Sequence, residues 1–164
     1  MKRTRMLRGR IGARLLNRGG VWVAAQTGLM GAVLFFGALW HSQWHCPRLD
    51  ALGFALLAAA ALLGLAGTLS LRGNLSPFPM PAPDARLVQS GIYALIRHPL
   101  YTAVIAAAAG WTLVRQSGPA LAATVALAVF LDQKARREER WLNERFRKYA
   151  AYRRRTWKFL PFIY

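Results

Sequence analysis

The chain has 164 residues, enough for one domain, and 55% of them are hydrophobic. Its 23 Lys and Arg residues outnumber its 6 Asp and Glu residues, which gives a formal charge of +17. Long apolar runs carry none of these cations, which argues against disorder, a soluble basic domain and a nucleic-acid partner. The single cysteine, Cys46, excludes an internal disulfide and any multi-cysteine metal site. A small integral membrane protein is therefore predicted.

Four apolar segments are candidate membrane spans, since a spanning helix needs about 20 mostly apolar residues. Residues 20–40 and 51–71 are long enough to cross alone, whereas residues 100–114 and 120–131 are short and are predicted to cross as a helical hairpin. The expected fold is all-α, an integral membrane helical bundle with about four transmembrane helices and a cytoplasmic amphipathic C-terminal helix. Glycines of the first two spans are expected to permit close helix packing: Gly28, Gly31, Gly37, Gly64 and Gly67.

The first apolar segment follows a strongly basic start, as a cleavable signal peptide would. It is longer than the apolar region of a signal peptide, and residues 41–46 after it contain no small-x-small cleavage pattern. We therefore expect a retained signal anchor.

The distribution of Lys and Arg predicts the orientation, because positive charge near a membrane end stays on the cytoplasmic side. Both tails are rich in cations, whereas the predicted outer loops carry only Arg48 and Arg115. Both termini are therefore expected in the cytoplasm, and a composition rich in Ala and Arg indicates a bacterial inner membrane. The single domain divides into a basic cytoplasmic tail, two spans, a cytoplasmic loop, a helical hairpin and a cytoplasmic tail helix: residues 1–19, 20–71, 72–99, 100–131 and 132–164.

The short segment after the first span contains candidate metal ligands. His41, His45 and Cys46 include an i, i+4 pair, a spacing that can hold a metal ion. Trp40 and Trp44 lie among them at a predicted membrane interface, where tryptophan is enriched. An aromatic belt explains this segment better, so no metal site is predicted.

The middle cytoplasmic loop has four prolines at alternate positions from Pro77 to Pro83, which predicts an extended connector. It leads to Arg97-His98-Pro99, where proline suits the first turn of the third apolar helix. The free N–H groups and the positive end of the helix dipole there predict a cradle for an anionic group. Taken alone, His98 at a helix start is more often structural.

Residues 132–155 have helical periodicity. One face of this predicted helix is apolar: Leu131, Leu142, Phe146, Tyr149 and Tyr152. Glu138 is predicted at the centre of that face and Glu139 at its edge. A carboxylate in such a place either pairs with a cation, here Lys134 or Arg145, or belongs to a functional site. Periodicity leaves both alternatives open, and the other tail cations are expected to contact an anionic leaflet.

Two motifs lie on the predicted cytoplasmic side. The first motif consists of Gly91, Tyr93, Arg97, His98, Pro99 and Tyr101. The second motif consists of Glu138, Glu139, Leu142, Phe146, Tyr149, Tyr152 and Pro161. In this order and at this spacing, they resemble the signatures of the isoprenylcysteine carboxyl methyltransferase family and its phospholipid-methylating relatives. The resemblance covers residues 77–161, and two motifs in order are more specific than Arg-His-Pro alone.

The resemblance implies a membrane methyltransferase that binds S-adenosyl-L-methionine between the loop and the tail helix, without a Rossmann domain. The implied cofactor-binding residues are Leu87, Val88, Tyr93, Arg97, His98, Pro99, Tyr101 and Glu138. The residues implied near the substrate are Lys134, Glu139 and Arg153. Lys134 stands where the family has an arginine, so the substrate is harder to infer, because lysine lacks the two-pronged grip of a guanidinium.

The chemistry of this cofactor agrees with the residue types. Arg97 is expected to bind its carboxylate, Glu138 its ammonium or ribose, and Tyr93 or Tyr101 its sulfonium through a cation–π contact. No catalytic residue is assigned, because transfer to a carboxylate needs positioning and exclusion of water rather than a general base. The expected acceptor is a lipophilic, membrane-embedded carboxylate or amine whose identity does not follow from the sequence.

Two other functions stay open. An NADPH-dependent membrane reductase of the sterol-reductase-like superfamily resembles this region, although those proteins have more spans. A non-enzymatic adaptor that binds anionic membrane lipids explains the basic tails but gives no role to Glu138 or to the Arg-His-Pro step.

Overall fold

The computed structural model describes residues 19–42, 46–71 and 86–164. Its helices are α1 (Gly20–Leu39), α2 (Pro47–Leu71), a 3-10 turn (Gly91–Ala94), α3 (Pro99–Arg115), α4 (Gly118–Arg145) and α5 (Tyr149–Arg153). The described ranges contain no strand, only an isolated parallel bridge between Ile96 and Trp157. The all-α prediction is confirmed. The basic tail before residue 19, His45 and the proline-rich connector lie outside the described residues.

Helices α1 and α2 are both long and apolar enough to cross a bilayer. Only 11% of the apolar stretch of α1 and 17% of that of α2 is buried, so most of their side chains face outward. The core helix of a soluble protein would be mostly buried, and a lipid environment explains the exposure better. Large apolar side chains are exposed along both helices: Val21, Leu34, Phe35, Phe54, Leu62, Leu65 and Leu69.

Helices α3 and α4 form the predicted helical hairpin, but their lengths differ from the prediction. With 17 residues, α3 is about 25 Å long at about 1.5 Å per residue, shorter than a hydrocarbon layer of about 30 Å. With 28 residues, α4 continues through the boundary expected at residue 131. Length and composition thus support two membrane-spanning helices, and the four-span bundle stays a prediction.

The closest backbone contact between helices joins α2 to α3 at a pair of glycines. A Cβ atom on Gly110 would lie 2.7 Å from the main-chain oxygen of Gly53, and a Cβ atom on Gly53 would lie 2.9 Å from that of Gly110. Any side chain here would push the two helices apart, since neither backbone can yield as a flexible side chain does. Neither glycine was singled out from the sequence.

Of the five glycines predicted to permit close packing, two do so. A Cβ atom on Gly37 would clash with an indole of α3, and one on Gly67 would lie 2.9 Å from a leucine of α3. Gly64 makes an ordinary contact, while Gly28 and Gly31 face open space. Residue type alone does not reveal which face of a helix meets its neighbour.

The single tail helix predicted over residues 132–155 is wrong. Helix α4 ends at Arg145, Phe146 is extended with φ −117° and ψ 107°, and α5 begins only at Tyr149. This break changes the direction of the chain. The apolar face predicted for a continuous helix therefore ends at Phe146. Glu139, predicted at the edge of that face, is 6% exposed and more buried than Glu138.

Residues 154–164, which we call the return segment, run back along the start of α3. The main-chain N–H of Trp157 donates to the oxygen of Leu95 at 3.0 Å. In the other direction, the N–H groups of Arg97 and His98 donate to the return segment. The main-chain hydrogen bonds therefore join the first motif to the last part of the second motif, between Tyr152 and Pro161.

Candidate functional site

The two motifs meet at one end of the bundle, where the start of α3, the second half of α4 and α5 adjoin. Glu138 and Glu139 are neighbours on α4: Glu138 accepts from Tyr101 and Glu139 from Arg97, while His98 lies 3.9 Å from Glu138 Oε2 and 3.2 Å from Glu139 Oε1. A helix turns by about 100° per residue, so adjacent side chains project in different directions. The site therefore consists of two clusters, one around each carboxylate.

The Glu139 clamp consists of Glu139, Arg97, His98 and Arg153. Arg97 Nε donates to Glu139 Oε1 at 2.8 Å, and His98 Nε2 lies 3.2 Å from the same oxygen. Arg153 Nε lies 3.5 Å from Oε2. Burial opposes ionisation of Glu139, but the hydrogen bonds and charges of His98 and Arg97 lower its pKa to about 2. Glu139 is therefore an ionised, buried carboxylate with its partners in place.

Further donors at the start of α3 bind the return segment. Arg97 Nη1 donates to the main-chain oxygen of Thr156. The main-chain N–H of Arg97 donates to Trp157 O at 2.8 Å, and that of His98 donates to Lys158 O at 3.1 Å. The return segment thus uses the N–H groups of the two residues before α3, while the anion cradle at the first turn of α3 stays a prediction.

The Glu138 cluster consists of Glu138, Tyr101, Tyr93 and Lys134. The Tyr101 hydroxyl donates to Glu138 Oε2 at 2.9 Å, and the Glu138 side chain keeps 26% of its exposure. Tyr93 is buried, and burial together with the nearby charge of Glu138 raises its pKa. His98 joins the two clusters, because its ring stacks on Tyr101 with centroids 5.3 Å apart. Glu138 is the more accessible of the two carboxylates.

Lys134, implied to lie near the substrate, is buried beneath this cluster and is 2% exposed. Its Nζ donates to Gln26 Oε1 at 2.6 Å and lies 5.2 Å from the centroid of the Tyr101 ring. Burial lowers the pKa of Lys134, whereas the charge of Glu138 acts in the opposite direction. Electrostatically, Lys134 is thus part of the Glu138 cluster, and it also links α4 to α1.

Tyr149 was predicted only as part of the apolar face of the tail helix, but its hydroxyl is a polar group of the site. It is 1% exposed, and its hydroxyl has no hydrogen-bond partner among the described residues. Burial and the charge of Glu139 raise its pKa, so the hydroxyl keeps its proton. A buried polar group without a partner costs about 1–3 kcal/mol and calls for an explanation, such as a ligand atom. A tyrosine predicted on a buried face was the available signal.

Leu87 and Val88 line a separate cavity of about 710 Å³ between the last turn of α2 and residues 86–91. Gly91 closes it with a φ of 61°, and a Cβ atom there would clash with Ser70 Oγ. Both the left-handed backbone and the lack of space require glycine at this position. The lining of this cavity includes Leu87 and Val88 but none of the residues of the Glu138 cluster.

An apolar groove of about 570 Å³ is lined by α1, α2 and α3, with Leu127 of α4 at its base. It extends from Trp111 to Leu100, which follows Pro99 in the first turn of α3. One end of the groove therefore adjoins the site. Its volume is within the range of about 300–1,000 Å³ that is usual for ligand sites. Leu34 on its lining is 57% exposed, so the groove is open at the surface.

The predicted site residues fall into three groups. Those that the structure brings together at the two clusters are Tyr93, Arg97, His98, Tyr101, Lys134, Glu138, Glu139 and Arg153. Pro99 is buried at the start of α3, and Leu87 and Val88 line the separate cavity.

Among the described residues, no group of three or more His, Cys, Asp or Glu side chains is arranged to hold a metal ion.

Comparison with known proteins gives the family. Residues 48–149 match the phospholipid methyltransferase family, and the chain belongs to that family, which includes proteins similar to isoprenylcysteine carboxyl methyltransferase. The family predicted from the two motifs is thus confirmed. The match includes both clusters apart from Arg153 and the return segment.

Two curated relatives are named for metal resistance. The chain is 33% identical to the cobalt-zinc-cadmium resistance protein CzcN of Cupriavidus metallidurans over 147 aligned residues. This alignment covers 88% of the chain and 64% of CzcN. It is 29% identical to the nickel-cobalt-cadmium resistance protein NccN of Alcaligenes xylosoxydans xylosoxydans over 147 aligned residues. This alignment covers 88% of the chain and 65% of NccN. The chain thus spans just under two thirds of the length of each relative.

Proposed function

We propose that this chain is an S-adenosylmethionine-dependent methyltransferase that modifies the carboxylate or amine of a lipophilic acceptor held in the membrane. One juxtaposition carries the proposal. The accessible carboxylate Glu138, surrounded by tyrosines, lies at the same end of the bundle where the apolar groove adjoins Leu100. In a methyltransferase family domain, this arrangement supports a charged cofactor held at Glu138 and an apolar acceptor held in the groove.

The residues present fit the groups of S-adenosylmethionine. A sulfonium and an ammonium require anionic and aromatic partners, which Glu138 and the rings of Tyr93 and Tyr101 would supply. The Tyr149 hydroxyl, which has no partner among the described residues, fits a ribose hydroxyl or a carboxylate oxygen. Bound there, the cofactor would supply a methyl group from its positively charged sulfur: an acceptor oxygen or nitrogen bonds to the methyl carbon while the carbon–sulfur bond breaks and S-adenosylhomocysteine leaves.

Arg97 has a different role in this proposal from the one implied by the family. Its guanidinium donates to Glu139 and to the main-chain oxygens of Arg153 and Thr156 rather than standing open for a ligand carboxylate. We assign Arg97 and Glu139 to positioning: they hold α4 and the return segment against the start of α3. Glu138, one residue away, is thereby kept at a defined distance from Tyr101.

The acceptor is expected to lie in the groove with its reactive group at the Leu100 end. The lining is apolar apart from the indole N–H of Trp111 and the hydroxyl of Thr68, which donates to the main-chain oxygen of Gly64. Such a surface binds acyl or prenyl chains through burial of apolar area rather than through hydrogen bonds. The chain's contribution to the rate is then orientation of the two reactants and exclusion of water.

Cofactor binding is tested by titrating S-adenosylhomocysteine into the detergent-purified protein in a calorimeter. Wild type is compared with Glu138→Gln and with Glu144→Gln, an exposed carboxylate on the same helix. Loss of a charge-assisted hydrogen bond of about 1.5–3 kcal/mol weakens binding by at least about tenfold in Glu138→Gln and leaves Glu144→Gln unchanged. Binding of NADPH in place of S-adenosylhomocysteine would instead identify a reductase. A folded protein that binds neither ligand would favour the adaptor.

The acceptor is tested separately by transfer of a radiolabelled methyl group to extracted bacterial membrane lipids. Ala107→Phe fills the groove, and Ala55→Phe adds the same ring at an exposed position of α2 outside it. Ala107→Phe is expected to abolish lipid labelling while S-adenosylhomocysteine still binds, and Ala55→Phe is expected to behave as wild type. Equal labelling by the two variants would contradict the groove as the acceptor site and leave the cofactor site intact.

A further inference from the structure

A closed turn at the end of the return segment exposes two large apolar side chains. The main-chain N–H groups of Phe159 and Leu160 donate to the oxygen of Tyr164 at 2.8 and 3.0 Å. The N–H groups of Ile163 and Tyr164 donate to the oxygen of Leu160 at 3.2 and 3.0 Å. These four hydrogen bonds fix the turn, while Phe162 is 81% and Ile163 79% exposed. We call residues 159–164 the apolar turn.

The backbone of the apolar turn is strained at its tip. Phe162 has a φ of 65°, in the left-handed region that a bulky residue rarely adopts. Such a conformation is unfavourable and persists only where the surroundings impose it. The Phe162 ring packs on Trp157 with centroids 4.6 Å apart, which leaves its outer face open. Strain together with two exposed apolar side chains indicates a surface that contacts something apolar.

Side chains fix the apolar turn to α4. The hydroxyl of Tyr164 donates to Asp132 Oδ1 at 3.0 Å, and Lys158 Nζ pairs with the same carboxylate. Arg136 Nε donates to Asp132 Oδ2 at 2.7 Å, and Arg136 Nη2 lies 3.3 Å from the Tyr164 hydroxyl. The turn is therefore held beside residues 132–136 of α4 at a defined position along the bundle.

That position is level with the start of the candidate span α1. Trp22, in the first turn of α1, packs on Phe130 with ring centroids 5.3 Å apart. The guanidinium of Arg137 lies 5.8 Å from the centroid of the Trp22 ring. The start of a spanning helix marks the membrane surface, where tryptophan and arginine are enriched. Asp132 lies between Phe130 and Arg137 on α4, so the apolar turn is at the height of the bilayer surface.

We propose that the apolar turn inserts Phe162 and Ile163 into the leaflet that surrounds the start of α1. The partner is the boundary between lipid head groups and acyl chains, where apolar side chains are buried and exposed cations contact anionic head groups. Exposed arginines on the same end of the molecule match such a surface: Arg136, Arg137, Arg154 and Arg155. The inference rests on the membrane placement of α1 and α2 and not on methyl transfer.

Insertion would attach the return segment to the bilayer. Lys158 accepts the main-chain hydrogen bond of His98, and Thr102 Oγ1 donates to the main-chain oxygen of Phe159 at 3.0 Å. A turn held by lipid therefore stabilises the segment that binds the start of α3. In this way the membrane surface supports the geometry of the Glu139 clamp.

The test measures the depth of single fluorescent labels in vesicles. In a Cys46→Ser background, the full chain is labelled with a nitrobenzoxadiazole at Ile163→Cys, at Leu62→Cys on the exposed face of α2, or at Glu144→Cys. Residue 144 lies seven residues beyond Arg137 on α4, about 10 Å further from the membrane. The vesicles contain phosphatidylcholine and phosphatidylglycerol, with a nitroxide either near the head of an acyl chain or near its end.

The label at Ile163 is expected to emit at shorter wavelength than the label at Glu144 and to be quenched most by the shallow nitroxide. The label at Leu62 is expected to be quenched most by the deep nitroxide. Emission and quenching at Ile163 equal to those at Glu144 would overturn the proposal, as would stronger quenching by the deep nitroxide. If Leu62 is also unquenched, the membrane placement itself fails, and S-adenosylhomocysteine binding in detergent remains a separate result.

Discussion

The Glu138 cluster and the Glu139 clamp are built around adjacent carboxylates on one helix and share His98 as a neighbour, yet the two carboxylates differ in burial and in their other partners. Glu139 is enclosed by Arg97, His98 and Arg153, with a strongly lowered pKa. Glu138 accepts a hydrogen bond from the neutral Tyr101 and remains partly exposed. One carboxylate has its partners inside the protein, and the other has room for a partner from outside.

The difference shows how a single helix can divide structural and chemical work between neighbouring residues. A buried carboxylate must be paired, because an uncompensated charge in a low-dielectric interior is costly. Pairing leaves Glu139 little freedom to bind a ligand. Glu138 can exchange hydration for a cationic ligand, so the proposed division assigns positioning to Glu139 and binding to Glu138.

Glu139→Ala is expected to have the largest effect. It leaves the buried Arg97 and His98 without their carboxylate, and breaking a buried pair on one side costs about 3–5 kcal/mol. Thermal unfolding in detergent should therefore show a much lower Tm than for Glu138→Ala, which removes a half-exposed group. Equal Tm values for the two variants would remove the distinction between the clusters.

Acidification is expected to weaken the clamp selectively. The pKa of Glu139 is about 2 in the folded protein, against 4.5 ordinarily. Because the folded pKa is the lower one, the stabilisation is complete above pH 4.5 and is lost as the pH falls towards 2, amounting to about 3 kcal/mol. Unfolding of wild type over this range should be more pH-dependent than that of Glu139→Gln. A wild-type curve parallel to that of Glu139→Gln would contradict the assignment.

Tyr149→Phe tests whether the Tyr149 hydroxyl, which lies near the Glu139 clamp, also binds a ligand. Its hydroxyl has no described partner, so the variant is expected to be as stable as wild type or more stable. If the hydroxyl binds the cofactor, S-adenosylhomocysteine should bind about tenfold more weakly, the loss of one hydrogen bond of about 1.4 kcal/mol. Tyr152→Phe is the contrasting variant, because that hydroxyl donates to Tyr93 O at 2.7 Å and its loss lowers stability. Unchanged affinity in Tyr149→Phe would confine the ligand to the Glu138 side.

Arg153→Ala is expected to have the smallest effect. Its side chain is 63% exposed, and its Nε lies 3.5 Å from Glu139 Oε2. Exposed ion pairs contribute at most about 1 kcal/mol, so the Tm should change little. A loss as large as that of Glu139→Ala would show that Arg153 belongs to the buried part of the clamp.

The glycines show the same division between sequence and structure. Gly53 and Gly110 form the tightest backbone contact but belong to no motif, and Gly28 and Gly31 resemble packing glycines but face open space. A glycine in an apolar run indicates that close packing is permitted. Whether a neighbouring helix packs against that glycine depends on how the helices are arranged.

The sequence by itself determined the apolar spans, the all-α class and the methyltransferase family. These depend on local composition and on residues at short, regular spacing. Tertiary structure alone decided which of the two carboxylates is buried, because Arg97 lies 42 positions away from Glu139. It also decided that the N–H groups at the start of α3 bind the return segment and that the Tyr149 hydroxyl lacks a partner among the described residues. The physical reason is that helical periodicity orders side chains around one axis only, and that axis ends at the extended Phe146.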